Sequence, residues 1–208
     1  MDWSVWLAFF AAAWVISISP GTGAVFAMSS GLTYGFKRGY VGTIGMILGM
    51  WTLLAVAALG LGALLTSSTI AFSIVKALGV GYLIWLGILQ WRSKAEAIKA
   101  SATSEAFDAW QMIVKGWAVN ATNPKGVLFM LAVMPQFIQP NKELVPQYLI
   151  IAVTLSFTDL VVMAGYTFFA AKVLRLLQTE QQIRLLNRIF GSFFIGAALL
   201  LATFKRGQ

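Results

Sequence analysis

Two proline-centred tripeptides lie inside long apolar stretches of this sequence. One is Ser19-Pro20-Gly21 and the other is Asn123-Pro124-Lys125. A proline inside a helix removes a backbone hydrogen bond and clashes with the preceding turn, at a cost of about 3 kcal/mol. Serine and asparagine are favoured N-cap residues, and proline is favoured at the first helical position after a cap. We therefore predict that one helix ends and another begins at each tripeptide, with a pair of ordinary proline kinks as the alternative.

These helix breaks could bind a small ligand that carries a carboxylate. A helix N-terminus offers free N–H groups and the positive end of the helix dipole, which suit an anion. Lys125 could meet the same carboxylate, and Asn120 lies one helical turn before Asn123. The predicted substrate-binding residues are Ser19, Pro20, Gly21, Thr22, Gly23, Asn120, Asn123, Pro124, Lys125 and Tyr166.

Asp159 is the one acidic residue inside any apolar stretch. An ionisable side chain within a membrane is costly and is by default a hypothesis of function. Asp159 could bind an ammonium group, carry a coupling proton, or pair with Lys125 or Lys76; we predict that it carries the coupling proton. Tyr166 lies two helical turns further on the same face, where its phenol could bind substrate or simply pack.

Composition places these residues in a membrane protein. The chain has 208 residues, of which 59% are hydrophobic and 11% charged, with a mean hydropathy of +0.81. A soluble domain averages about 45–50% apolar and about 25% charged residues. We expect a single membrane domain over residues 1–208. Histidine and cysteine are absent, which excludes disulfides, thiol nucleophiles and histidine-ligated haem. We expect no cofactor, no metal site and no catalytic residue.

Apolar runs of about 20 residues predict six transmembrane helices. They span residues 3–28, 40–65, 70–91, 112–138, 148–171 and 189–204. Within the second run, Gly42, Gly45 and Gly49 share one face and predict close helix packing. Gly79, Gly87, Gly191 and Gly196 are expected to act similarly in the third and sixth.

The basic residues predict how these helices are oriented. Ten lie in or beside the first, third and fifth linkers: Lys37, Arg38, Arg92, Lys94, Lys99, Lys115, Lys172, Arg175, Arg184 and Arg188. Three lie on the other side: Lys142, Lys205 and Arg206. Because cytoplasmic loops are enriched in Lys and Arg, both termini are predicted to face outside. The basic residues are separated by apolar runs, which does not suggest a nucleic-acid partner.

The two halves of the chain predict an internal repeat. Residues 1–91 and 112–208 each hold three predicted helices, the first of them broken, and the cytoplasmic linker 92–111 joins them. An odd number of helices makes the two repeats face opposite ways. The predicted fold is thus an all-α integral membrane protein of two inverted-topology three-helix repeats, with helices one and four broken. Secondary transporters have this design, with the substrate site between the broken helices.

The chain resembles the LysE/RhtB amino-acid exporters, and within them the homoserine/threonine (RhtB) branch. The resemblance rests on residues 17–21, 35–39, 79–87, 123–125 and 135–137. It implies a multi-pass exporter in the bacterial inner membrane that moves small neutral amino acids and homoserine lactone, driven by proton exchange. Thr22 stands where the family often has the second proline of Pro-Gly-Pro.

Other functions remain as alternatives. The protein could export leucine-type or basic amino acids, or a metal ion with the same repeat design, although hard cations prefer several oxygen ligands. An intramembrane aspartyl enzyme needs two carboxylates in one site, and only Asp159 is available. The expected partners are an amino acid, protons and the lipid bilayer, and the working unit is either one chain or a homodimer.

Overall fold

The computed structural model describes residues 1–65, 69–92, 106–176 and 180–203, and every regular element in these ranges is helical. The α-helices are α1 (Trp3–Ile18), α2 (Thr22–Gly39), α3 (Val41–Leu65), α4 (Thr69–Arg92), α5 (Ala109–Ala121), α6 (Pro124–Leu128), α7 (Leu144–Leu176) and α8 (Glu180–Thr203). A π-helical turn over Phe129–Val133 and a 3₁₀ turn over Met134–Phe137 continue α6. The predicted all-α architecture is confirmed.

Several described helices are suited to cross a membrane. By length and composition, Val41–Leu59 of α3 and Leu144–Ala170 of α7 qualify on their own. Helices α1 and α2 qualify together, with a bend of 54° at the break between them. These findings agree with a membrane protein, and the count of six transmembrane helices stays a prediction.

Two of the predicted linkers are largely helical. Helical structure in α2 extends to Gly39, beyond the expected end at residue 28, with a kink at Gly35, whose φ is 74°. Helix α8 begins at Glu180 rather than at residue 189. Hydropathy marks only the apolar part of a helix, while the Glu, Gln and Arg residues at the start of α8 are good helix formers that extend it. Residues 93–105 of the predicted linker and residue 204 lie outside the described residues, as do the side chains of Lys76, Lys172 and Arg175.

Helices from the two halves of the chain pack against each other. The most extensive helix contacts are those of α3 with α5, α4 with α8, and α2 with α7. Each pair joins a helix before residue 93 to one after residue 108. The central apolar core therefore contains residues of both halves, such as Phe9 and Met50 from the first and Met134 and Ile151 from the second.

Glycines allow α3 and α5 to pack with their backbones in contact. A Cβ atom added to Gly45 would lie 1.9 Å from the Ile113 carbonyl oxygen, and one added to Gly116 would lie 2.2 Å from the Gly42 oxygen. Gly49 likewise faces the α5 backbone. The predicted packing role of the α3 glycines is confirmed.

The glycines of α4 and α8 divide into two kinds. A Cβ on Gly87 would lie 2.8 Å from the Gly191 carbonyl oxygen, so this pair packs as predicted. A Cβ added to Gly196 would meet no atom within 4 Å in the part of the chain that the structure describes. The predicted packing role of Gly196 is therefore wrong, because its face of α8 is exposed.

We expect Gly45→Ala to destabilise the protein strongly, whereas Gly196→Ala should leave stability equal or slightly higher. The first adds a methyl group to a site closed by rigid backbone, where overpacking costs about 1–3 kcal/mol or more. The second only gains helix propensity, because it adds its methyl group to open space. Thermal unfolding of the two variants in detergent measures the difference. Equal unfolding temperatures would contradict the close α3–α5 packing.

A polar cluster ties the N-terminus to the segment before α7. The Asp2 carboxylate accepts hydrogen bonds from Lys142 Nζ and Gln139 Nε2, which lower its pKa below the ordinary value. The side chain of Gln147 is fully buried. Its Nε2 donates to the carbonyl oxygens of Gln139 and Glu143 at 2.9 and 3.0 Å. This cluster connects the start of α1 to the start of α7.

Candidate functional site

The break between α5 and α6 has the predicted geometry. Asn123 is the N-cap of α6, and its Oδ1 accepts a hydrogen bond from the Lys125 backbone N–H at 3.0 Å. Pro124 occupies the first helical position, where its missing N–H leaves no bond unmade. The prediction that a new helix begins at this tripeptide is confirmed.

The break between α1 and α2 differs from the prediction. Ser19 is the C-cap of α1 rather than the N-cap of α2, and α2 begins only at Thr22 with Gly21 as its N-cap. Pro20 restricts the residue before it to an extended conformation, and Ser19 has a φ of −61° and a ψ of 122°. Gly21 is extended as well, so helical geometry resumes after it. The Ser19 hydroxyl caps no helix and is buried without a hydrogen-bond partner in the described structure.

Lys125 connects the two breaks. Its Nζ donates to the carbonyl oxygens of Ile16 at 2.9 Å and Ser19 at 2.7 Å, at the C-terminal end of α1. These carbonyls have no partner within the helix, and a cation is favoured at this end of the helix dipole. A Cβ on Gly21 would lie 3.4 Å from the Lys125 Nζ, so the glycine leaves room for the ammonium.

Asp159 stands at one end of a chain of hydroxyl groups. Ser17 Oγ lies 2.6 Å from Asp159 Oδ1 and 3.0 Å from Thr158 Oγ1. Thr158 Oγ1 in turn donates to the Leu155 carbonyl oxygen at 3.0 Å. In the described structure, Asp159 and Lys125 do not come within 4.0 Å of each other. The alternative in which they form a direct ion pair is therefore not seen.

A cavity of about 60 Å³ lies between the two breaks. Its polar lining consists of Ser17, Ser19, Asn120, Asn123, Lys125 and Asp159. Its apolar lining includes Met46, Met50, Leu53, Phe129, Met130, Leu155 and Met163. A cavity of this size has room for about four to six water molecules, at about 10–15 Å³ each. The Asp159 carboxyl group and the Lys125 amino group thus line one small cavity from different helices.

The predicted binding residues divide into those that line this cavity and those that do not. Five of the ten line it: Ser19, Gly23, Asn120, Asn123 and Lys125. The other five do not: Pro20, Gly21, Thr22, Pro124 and Tyr166. Tyr166 Oη donates instead to the Ile18 carbonyl oxygen, so it secures the last turn of α1. Asn120 is held by a 2.6 Å hydrogen bond from its Nδ2 to the Met46 carbonyl oxygen.

Sequence reasoning missed the contributions of Ser17 and of the methionines. Ser17 lies two residues before Ser19 and carries no signal beyond that proximity. The methionines come from three separate helical segments, α3, the π-helical turn and α7. Each resembles an ordinary core residue, and only the tertiary structure brings them to the cavity.

Broken helices that meet at a polar cavity inside an apolar helical protein define a membrane transport protein. The model of the LysE type translocator family matches residues 14–204. The chain therefore belongs to the LysE family, and it is a multi-pass membrane transporter rather than an enzyme.

Relatives of the chain cover nearly its whole length. An uncharacterized membrane protein of Vibrio cholerae is 38% identical over 205 residues, covering 99% of this chain and 100% of the relative. The homoserine/homoserine lactone efflux protein of Salmonella typhi is 36% identical, covering 98% of each chain. A leucine efflux protein of Enterobacter is 30% identical, covering 92% of each. No solved structure matches the chain.

Proposed function

We propose that this protein exports small neutral amino acids, such as homoserine, homoserine lactone and threonine, from the cytoplasm in exchange for protons. Membership of the LysE family and the 36% identical homoserine/homoserine lactone efflux protein support the substrate class. The observation that carries the proposal is the cavity between the helix breaks, which the Lys125 amino group and the Asp159 carboxyl group line without contacting each other. An amino-acid zwitterion has a carboxylate that suits Lys125 and an ammonium group that suits Asp159.

The carboxylate of the substrate would bind on the Lys125 side of the cavity. An ammonium has three N–H donors, and the two carbonyl oxygens of α1 occupy two of them. Ser19 is 2% exposed, and its hydroxyl has no hydrogen-bond partner in the described structure. Buried polar groups are normally hydrogen-bonded. A bound carboxylate would satisfy both the third N–H of Lys125 and the hydroxyl of Ser19.

The coupling proton would reside on Asp159, and a count of hydrogen atoms supports this role. Three hydrogen bonds form this chain: Asp159 with Ser17, Ser17 with Thr158, and Thr158 with the Leu155 carbonyl oxygen. Each needs one proton, and the two hydroxyl groups supply only two. A protonated Asp159 supplies the third proton. Asp159 then donates to Ser17, Ser17 to Thr158, and Thr158 to the Leu155 carbonyl oxygen. An ionised Asp159 leaves one contact without a proton and binds an ammonium better. The protonated state of Asp159 thus completes the hydrogen-bond chain, and the ionised state binds the substrate ammonium.

A leucine-type exporter is the second candidate function. The apolar lining of the cavity includes four methionines, and such flexible side chains adapt to varied apolar groups. The leucine efflux protein at 30% identity agrees with this candidate. The metal-ion alternative has no support, since the described residues contain no group of three or more metal-binding side chains.

We propose further that residues 1–208 form one domain of two inverted repeats in the bacterial inner membrane. The paired breaks at α1–α2 and α5–α6, and the contacts that join one half to the other, support the repeats. The distribution of Lys and Arg supports an orientation with both termini outside. A periplasm-specific reporter fused to the C-terminus should be active, and the same reporter inserted in residues 92–111 should be inactive. The opposite pattern would contradict this orientation.

Transport by the purified protein tests the proposed function. In proteoliposomes with an imposed pH gradient, we expect labelled homoserine or threonine to accumulate against its own gradient. Accumulation should collapse when a protonophore removes the pH gradient, because the proton supplies the free energy. Leucine assayed in parallel distinguishes the two candidate substrate classes. Equal signals in protein-free liposomes, for all three amino acids, would contradict export altogether.

A further inference from the structure

A second polar cavity lies at the far ends of the helices that form the first. Its volume is about 180 Å³, and it lies between the second half of α2 and the start of α5. Ser29, Thr33 and Tyr34 line it from α2, and Asp108, Gln111 and Lys115 line it from the other side. None of these residues belongs to the proposed central site.

The groups in this cavity match those that an amino acid requires. Asp108 and Lys115 provide opposite charges. One carboxylate oxygen of Asp108 caps α5 by accepting from the backbone N–H groups of Trp110 and Gln111. The second oxygen accepts no hydrogen bond in the described structure. Thr33 Oγ1 is buried and also lacks a partner there, which is unusual for a buried hydroxyl.

The two cavities lie along the same helix, α2. Gly23 of α2 lines the central cavity and Ser30 lines the second. These positions are seven residues apart, which is about 10 Å along the helix. Met46 lines the first, while Phe26 and Met112 line the second. Rotation of such side chains needs no helix to move, since methionine has three rotatable bonds.

We propose that the second cavity is an entry site, which binds the amino-acid zwitterion before it reaches the central site. This inference rests on the proposed function and adds a binding site to it. The cavity is at the end of α2 that carries Lys37 and Arg38, which is the cytoplasmic end in the proposed orientation. Asp108 receives the ammonium group, and the Thr33 hydroxyl donates a hydrogen bond to the carboxylate. The side chains of Phe26, Met46 and Met112 form the barrier between the two sites.

Site-directed cysteine labelling tests the entry site, because the natural chain contains no cysteine. Ser29→Cys and Gln111→Cys each place a thiol in the cavity, and Lys37→Cys places one on the exposed end of α2 as a control. The rate of maleimide labelling is measured in purified protein, with L-homoserine and L-leucine as probes. An amino acid at about ten times its Kd should slow labelling of the cavity positions about tenfold. Labelling of Lys37→Cys should not change.

Two further variants separate the entry site from the central site. Protection should persist when Lys125→Gln disables the central site. Protection should disappear in the double variant Asp108→Asn with Thr33→Val. Asparagine at position 108 can still cap α5, so the helix is kept. If protection is absent at both cavity positions, or is lost in Lys125→Gln, there is no separate entry site. Transport by the unmodified protein would then still stand, so failure of this inference differs from failure of the proposed function.

Discussion

Asp159→Asn is expected to reduce the accumulation of substrate against its gradient to the level of simple equilibration. Asparagine keeps the shape of the side chain and can still contact Ser17, but it cannot release or bind a proton. Exchange of labelled for unlabelled substrate at equal concentrations needs no net proton movement, so part of it should remain. Both measurements are made in the same proteoliposomes, with and without an imposed pH gradient.

Asp2→Asn is the matched control for this variant. It makes the same chemical change at an exposed carboxylate that contacts Lys142 and does not line the cavity. We expect it to leave uphill export close to normal. Uphill export by Asp159→Asn at the normal level would remove this residue from the coupling mechanism. Loss of exchange together with uphill export would instead assign Asp159 to substrate binding.

Ser17→Ala tests the hydroxyl chain beside the carboxylate. Its loss removes the partner of Asp159 Oδ1 and interrupts the path to Thr158. Because Asp159 itself remains, we expect uphill export to persist with a shifted dependence on pH. A pH profile identical to that of the unmodified protein would show that Ser17 does not position the carboxyl group.

Lys125→Gln is expected to abolish both uphill export and exchange while the protein stays folded. Glutamine has no charge for a substrate carboxylate, but its amide can still donate hydrogen bonds to the end of α1. Lys125→Met should also lower stability, because it leaves the Ile16 and Ser19 carbonyl oxygens without a donor. Each buried acceptor left unpaired costs about 1–3 kcal/mol. Thermal unfolding in detergent and exchange in proteoliposomes separate the two effects.

A double variant of Lys125 and Asp159 tests whether the two residues form a structural ion pair. A structural ion pair between the two residues would predict that neutralising both restores a folded and active protein. The structure shows no contact between them within 4.0 Å in its described part, so we expect the double variant Asp159→Asn with Lys125→Gln to be inactive. Lys37→Gln, at an exposed position on α2, serves as the charge control. Normal exchange by Lys125→Gln would contradict a role in substrate binding.

The sequence alone determined the features that depend on local chemistry. Both helix breaks follow from proline, because its missing N–H and its ring act within one turn of the chain. Asn123 could be assigned as a cap for the same reason. The membrane setting and the all-helical fold follow from composition and from apolar run length, which need no knowledge of distant contacts. The family resemblance also required only the residues of the motifs.

Local reasoning was wrong at Ser19, where the two similar tripeptides differ. Both begin with a good capping residue, but Gly21 follows Pro20 where Lys125 follows Pro124. The glycine remains extended, so the helix restarts later and Ser19 ends the previous one. The Ser19 side chain is thereby left for another partner in the central cavity.

Tertiary structure alone decided which residues meet. Lys125 reaches carbonyl oxygens that are 109 and 106 positions away in the chain, and Ser17 meets Asp159 across 142 positions. No periodicity or motif encodes such contacts, because they depend on how helices from the two halves pack. That packing is set by glycine-lined surfaces such as the one between α3 and α5, where backbones approach too closely for any side chain. The sequence could therefore identify the charged groups, and the packing of the helices placed them around one cavity without pairing them.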